Sequence, residues 1–182
     1  MSRRFVFLDR DGTLVEDRGY VYRVEDYARL PGVTEGLSLL QDAGYGLAIV
    51  TNQSGIGRGY YTTADFERFQ SHLVADLAAS GVQILATFHC PHLPDADCAC
   101  RKPRTGLLDR ARGELGADLA RSWVVGDRDS DSELAANAGC RAVRLRGSSE
   151  KRIDRVAPDV RIAADLIEAA RAILSAPHPD GR

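Results

Sequence analysis

Short apolar runs alternate along this chain with stretches whose apolar positions recur every three to four residues. Phe5-Val6-Phe7-Leu8 is apolar throughout, the pattern of a strand buried on both faces. Leu47-Ala48-Ile49-Val50, Ile84 to Phe88, Trp123-Val124-Val125 and Ala142-Val143-Arg144-Leu145 read as four further strands. Between them the spacing predicts helices. One runs from Thr34 to Ala43, after a turn at Pro31-Gly32, and stops at Gly44. A second starts near Thr62, where Asp65 three residues on makes a capping-box variant; Phe66, Phe69, Leu73 and Leu77 share its apolar face, and Gly81 ends it. Helices near Leu107 to Leu115 and Ser132 to Ala138 stop at Gly116 and Gly139, and a last amphipathic helix covers Ala164 to Leu174. Strands alternating with helices imply βαβ units and therefore an α/β fold: a doubly wound, Rossmann-like, three-layer parallel sheet. With no internal repeat, the chain reads as a single domain over residues 1–176, and 177–182 as a frayed tail.

Composition narrows the partners. In 182 residues, 24 basic and 26 acidic side chains give a net charge of -2, a balance that argues against nucleic acid or an anionic membrane. A small anionic molecule held by a few placed cations and a metal is the expected ligand, and the balanced surface is compatible with a monomer. The apolar run at Phe5 is too short for a signal peptide or a membrane span. A cytoplasmic location is expected, where clustered cysteines are better read as metal ligands than as disulfides. In that setting the glycosylation pattern Asn52-Gln53-Ser54 is accidental.

Ligands of doubly wound sheets sit outside the carboxyl ends of the strands, and four polar clusters fall there. Asp9-Arg10-Asp11-Gly12-Thr13 follows the first strand. Its two acids, two residues apart, can face one side, one as an ionised nucleophile and the other as a proton shuttle; an Asx turn with Gly12 at positive φ is the bland alternative. Thr51-Asn52-Gln53-Ser54-Gly55 follows the second strand and offers a hydroxyl and backbone N–H groups to phosphate oxygens, although such residues also mark ordinary loops. Gly55, Gly57 and Gly59 miss the dinucleotide-binding spacing by one residue. Arg101-Lys102-Pro103 suits a phosphoryl group, although on these residues alone a solvated basic pair is the favoured reading. Gly126-Asp127-Arg128-Asp129-Ser130-Asp131 carries three acids in five residues, an invitation to a hard cation. Ser132 and Ala138 occupy the positions where an EF-hand needs glycine and glutamate, and an acidic helix N-terminus would explain Asp131 but hardly all three acids.

In this order and placement the clusters resemble the four motifs of the haloacid dehalogenase-like (HAD) phosphatase superfamily: Asp9-x-Asp11-Gly12-Thr13, Thr51, Lys102 and Gly126-Asp127-x-x-x-Asp131. The resemblance spans roughly residues 4 to 146. It implies Asp9 as nucleophile, Asp11 as general acid and base, and Thr51 and Lys102 as stabilisers of the transferring phosphoryl group. It also implies Mg²⁺ held by Asp9, Asp127 and the backbone carbonyl of Asp11, with Asp131 in support. A carboxylate approaches a phosphate dianion only when a metal and a lysine offset the repulsion.

Cys90, His92, Cys98 and Cys100 place four soft ligands in eleven residues, a closed Cys₃His zinc set; the alternative is a reduced cysteine-rich loop without metal. His89 is expected to pack rather than ligate, and Cys140 to be buried. A structural zinc there would rigidify the loop and aim Arg101 and Lys102 at the site. This loop before the lysine resembles the subgroup of D-glycero-D-manno-heptose 1,7-bisphosphate 7-phosphatases and histidinol-phosphate phosphatases. Asp17-Arg18-Gly19-Tyr20-Val21 and Thr51 to Gly59 look more like the heptose enzymes; Cys90-Pro91-His92-Leu93-Pro94 and Gly126-Asp127-Arg128 look closer to the histidinol enzymes. Both imply a nearly capless site whose substrate is chosen by Asp17, Arg18, Gly19, Tyr20, Asn52, Gln53, Ser54 and Arg101. A catalytically silent, zinc-stabilised binding module is the competing class, and it would have no need of Asp9, Asp11, Lys102 and Asp127 together.

Overall fold

The computed structural model describes residues 3–146 and 160–177. β1 (Phe5–Leu8) is apolar on both sides because it has sheet neighbours on both edges and helices over both faces. It pairs in parallel with β2 (Gly46–Asn52) and with β4 (Trp123–Gly126), so that Leu8 lies opposite Ile49 on one side and Val125 on the other. β3 (Ala86–Cys90), β5 (Arg141–Leu145) and β6 (Val160–Ala163) complete a six-stranded, all-parallel sheet in the order β3-β2-β1-β4-β5-β6. The chain reverses its direction of winding at β1, between β2 and β4, the place where such sheets leave a crevice.

Strand residues alternate between two cores. Val6 and Leu8 join α1 (Val33–Asp42), α3 (Thr63–Ala79) and α6 (Leu166–Leu174) through Leu37, Leu40, Phe69, Leu73, Ala169 and Ile173. Phe5 and Phe7 face the other way, onto α4 (Gly106–Leu115) and α5 (Asp129–Ala138) through Leu107, Leu108, Ala111, Leu134 and Ala135. The capping box forms as expected: the Asp65 N–H donates to Thr62 Oγ1 at 3.1 Å and the Thr62 N–H to Asp65 Oδ2 at 2.9 Å.

Five expectations are corrected. β6 was not foreseen, because Arg161 interrupts a short apolar run, Val160-Arg161-Ile162-Ala163, at the sheet edge; the last helix begins at Leu166, capped by Asp165, rather than at Ala164. β3 lies two residues later than its apolar run suggests, so Cys90 belongs to the strand. Thr51 and Asn52 are the last residues of β2 rather than a loop. α5 begins at Asp129, which places both Asp129 and Asp131 in its first turn. Cys140 is half-buried rather than fully so, and burial pushes its thiol up to about 12.

Between β1 and α1 the only helical element among the described residues is a 3₁₀ turn at Val24–Asp26, and between β2 and α3 only α2 (Ser54–Gly57). Neither insertion is large enough to form a cap domain. Of the tail expected at 177–182, residues 178–182 lie outside the described residues.

Candidate active site at the carboxyl edge of the sheet

Asp9 leaves the end of β1 with its backbone N–H held by the carbonyl of Val125 at 2.9 Å. Its carboxylate accepts from the Arg10 N–H at 2.7 Å and meets Lys102 Nζ at 2.9 Å. Lys102 is buried; its ammonium also bonds Asp131 Oδ1 at 2.6 Å and the Val50 carbonyl at 3.0 Å. Burial alone would favour loss of its proton, but the Asp131 and Asp9 carboxylates outweigh that and hold its pKa above the ordinary value. Asn52 fixes the lysine's backbone from both sides, accepting from its N–H at 3.0 Å and donating to its carbonyl at 3.2 Å.

Asp9, Asp127 and Asp131 offer carboxylate oxygens that all lie within 4.8 Å of one another. Asp127 Oδ1 is buried and has no hydrogen-bond partner among the described residues. Burial, reinforced by the neighbouring Asp9 and Asp131 charges, pushes Asp127 up to about 7. Burial likewise pushes Asp131 up to about 6 against the pull of Lys102. With Asp11, four carboxylates face two buried cations, Arg10 and Lys102, and the fully ionised cluster carries surplus negative charge. A hard divalent cation with oxygen ligands fits both the orphaned oxygen and that surplus. Gly12 makes room for the cluster: at φ 80° it turns the chain, and a Cβ there would come within 2.4 Å of Asp127 Oδ2.

Asp11 is held by side chains from its own loop and from the end of β2. The Arg10 guanidinium, fully buried over the rings of Phe69 and Phe66, grips Asp11 Oδ1 at 3.0 Å and 2.8 Å and donates to the Val21 carbonyl at 2.7 Å. Gln53 Nε2 donates to Asp11 Oδ2 at 2.9 Å and to Thr51 Oγ1 at 2.9 Å. Burial raises the Asp11 pKa even against the arginine.

The expected substrate residues separate into two groups. Asn52 and Gln53 face inward, the first clamping Lys102 and the second engaged with Asp11 and Thr51. Asp17, Arg18, Gly19 and Tyr20 form an exposed rim. There Asp17 pairs with Arg128 at 2.6 Å, Arg18 pairs with Glu16, and the Tyr20 ring meets Tyr60 edge-on at 4.8 Å. Tyr20 holds a positive φ of 55°, unusual without a glycine. Ser54 opens α2, and Arg101 has a buried Nη1 without a hydrogen-bond partner among the described residues. Sequence reading gave no role to Arg10, Tyr61 or Arg128; only the position of Arg10 between two motif acids hinted at its part.

The Cys90, His92, Cys98 and Cys100 ligand atoms also lie within 4.8 Å of one another. Cys90 Sγ is 3.7 Å from Cys98 Sγ and 3.5 Å from His92 Nδ1. A tetrahedral ion with Zn–S bonds of about 2.3 Å requires S–S edges of about 3.8 Å, which the Cys90–Cys98 separation matches. His89 is outside the cluster, packed on Phe66 at 4.2 Å. The loop is braced at both ends: the Gln53 N–H donates to the Cys90 carbonyl at 2.8 Å, and the Gly106 N–H to the Ala99 carbonyl at 3.0 Å.

Known proteins place this geometry. The profile of the HAD-hydrolase-like family matches residues 99–169. The D-glycero-beta-D-manno-heptose-1,7-bisphosphate 7-phosphatase of Haemophilus ducreyi is 41% identical over 146 residues, covering 76% of this chain and 80% of that protein. The Escherichia coli K12 protein of the same name is 36% identical over 171 residues, covering 89% and 86%. The crystal structure of D,D-heptose 1,7-bisphosphate phosphatase from B. bronchiseptica, complexed with magnesium and phosphate, superposes with a TM-score of 0.87 at 31% identity, covering 94% of this chain and 98% of that one.

Proposed function

The chain belongs to the HAD-like phosphatase superfamily, and from that premise we propose that it removes the 7-phosphate of D-glycero-D-manno-heptose 1,7-bisphosphate through an aspartyl-phosphate on Asp9. The observation that carries this reading is the packing of Asp9 against Lys102 at 2.9 Å, beside Asp127 and Asp131. The names of the relatives supply the sugar.

Asp9 Oδ attacks phosphorus in line with the departing sugar oxygen, while the Lys102 ammonium and the Thr51 hydroxyl steady the oxygens of the transferring group. Asp11 gives its proton to the leaving alkoxide, then takes one from the water that hydrolyses the acyl phosphate. Burial prepares it for this by favouring its protonated form. Asp9, Asp127 and the carbonyl of Asp11, with Asp131 in support, would hold Mg²⁺, whose positive charge would lower the repulsion between carboxylate and phosphate. Arg101, next to Lys102 in sequence and with a buried Nη1 that has no partner among the described residues, would grip the second phosphate or brace the first. Cys90, His92, Cys98 and Cys100 would hold a zinc ion that is structural, since four protein ligands leave no open position.

The test is kcat/KM for phosphate release, with Mg²⁺, from both anomers of the heptose bisphosphate and from histidinol phosphate. A preference of a hundredfold or more for one heptose anomer, about 2.7 kcal/mol of transition-state discrimination, is the expected result. The reverse preference would move the enzyme to histidinol phosphate and leave the catalytic roles intact.

A further inference from the structure

A buried hydrogen-bond chain that none of these roles requires runs from Tyr61 through Gln53 to Asp11. The Tyr61 hydroxyl donates to Gln53 Oε1 at 2.6 Å, and Gln53 Nε2 donates to Asp11 Oδ2 and to Thr51 Oγ1, each at 2.9 Å. Tyr61 and Gln53 are both nearly inaccessible to solvent. Once Asp11 has given up its proton its carboxylate can only accept, so the amide then turns its NH₂ toward Asp11 and leaves its carbonyl oxygen facing the phenol. Flipping the amide would set its oxygen against the Asp11 carboxylate and leave the phenol facing an NH₂. Burial pushes Tyr61 up to about 12, which keeps the phenol a donor throughout the working range. Because Thr51 accepts from Gln53, its own O–H is left to donate elsewhere.

The seat of Tyr61 is as constrained as its hydroxyl. Its ring stacks on Tyr22 at 4.9 Å with the planes 14° apart. Gly55 permits that seat: a Cβ at Gly55 would come within 2.1 Å of Tyr61 Cε1. A satisfied buried amide is by itself ordinary. Here both N–H bonds end on groups that the reaction uses, and the remaining polar atom is fixed by one phenol.

We propose that Tyr61, acting through Gln53, is a positioning residue that sets the orientation of the Asp11 carboxyl for proton donation to the leaving group. The proposal rests on the phosphatase reading above. It assigns no chemistry to Tyr61, only the placement of the acid that does the chemistry.

The experiment compares Tyr61→Phe with the wild type on two substrates, reading kcat/KM, which reports steps only through loss of the alcohol. A sugar phosphate leaves as an alkoxide and needs a proton; 2,4-dinitrophenyl phosphate leaves as a stable phenolate and needs none. General acid catalysis contributes roughly a hundredfold to ten-thousandfold. Tyr61→Phe is expected to lower kcat/KM on the sugar phosphate by about ten- to a hundredfold and on the aryl phosphate by less than about threefold. Gly55→Ala, which displaces the same ring by another route, should show the same leaving-group signature. Equal losses on both substrates in both variants, or no loss in either, would overturn the inference. Asp9→Asn is the separating control: wild-type turnover by that variant would mean the phosphatase reading has failed, whatever Tyr61 does.

Discussion

At the scale of single residues, the site is a problem of crowded negative charge. Asp127 illustrates the consequence: burial and its acidic neighbours push it up to about 7, so the metal-free protein retains a proton there that the unfolded chain would release near pH 4. The folded state then binds more protons than the unfolded state between those values, and this group's contribution to stability falls as pH rises from about 4 to about 7. Mg²⁺ must displace that proton. Its apparent affinity should therefore weaken about tenfold for each pH unit below about 7 and level off above it. Titration calorimetry of Mg²⁺ binding between pH 5.5 and 8 checks this; an affinity flat across the range would contradict it. Asp9, Asp11, Lys102 and Asp127 were legible in the sequence because each follows a strand in a fixed order. Tyr61 was not, because its only signal is a contact with Gln53 eight residues away, made through side chains rather than spacing.

At the scale of elements, local rules carried furthest where the backbone had to stop or turn. Gly116 and Gly139, at φ of 64° and 73°, end α4 and α5 where the sequence placed them, and Thr62 with Asp65 starts α3. β6 escaped detection because an edge strand exposed on one side lacks the continuous apolar run that marked β1. On the proposed reading the cysteine loop is held together by a metal more than by a core. It joins the end of β3 to Lys102 while its backbone carbonyls accept from Gln53, Gly57 and Gly106. Removing its metal should therefore disturb α2 and Lys102 together. Chelation, or Cys98→Ser, is expected to release about one zinc per chain, lower the melting temperature and cut kcat/KM at least tenfold with Mg²⁺ present. Protein purified without chelator and found to hold no zinc would end the argument for a structural clip.

At the scale of the molecule, position explains chemistry. β1 is the strand at which the sheet reverses its winding, so Asp9 emerges where loops from β2, β4 and the cysteine segment converge. That convergence was readable in outline from alternating strands and helices; the inward turn of Asn52 and Gln53 was not, since it depends on residues brought together across the crevice. With only a 3₁₀ turn and the short α2 inserted near the site among the described residues, the proposed reading leaves selection of substrate to the rim of Asp17 to Tyr20 and to Arg101. The central claim is that Asp9 carries the phosphoryl group. Rapid acid quench during turnover with labelled substrate, followed by peptide mapping, tests it directly. The account predicts transient label on the peptide containing Asp9, and no label and essentially no turnover in Asp9→Asn. Label on a different residue, or undiminished turnover in that variant, would contradict it.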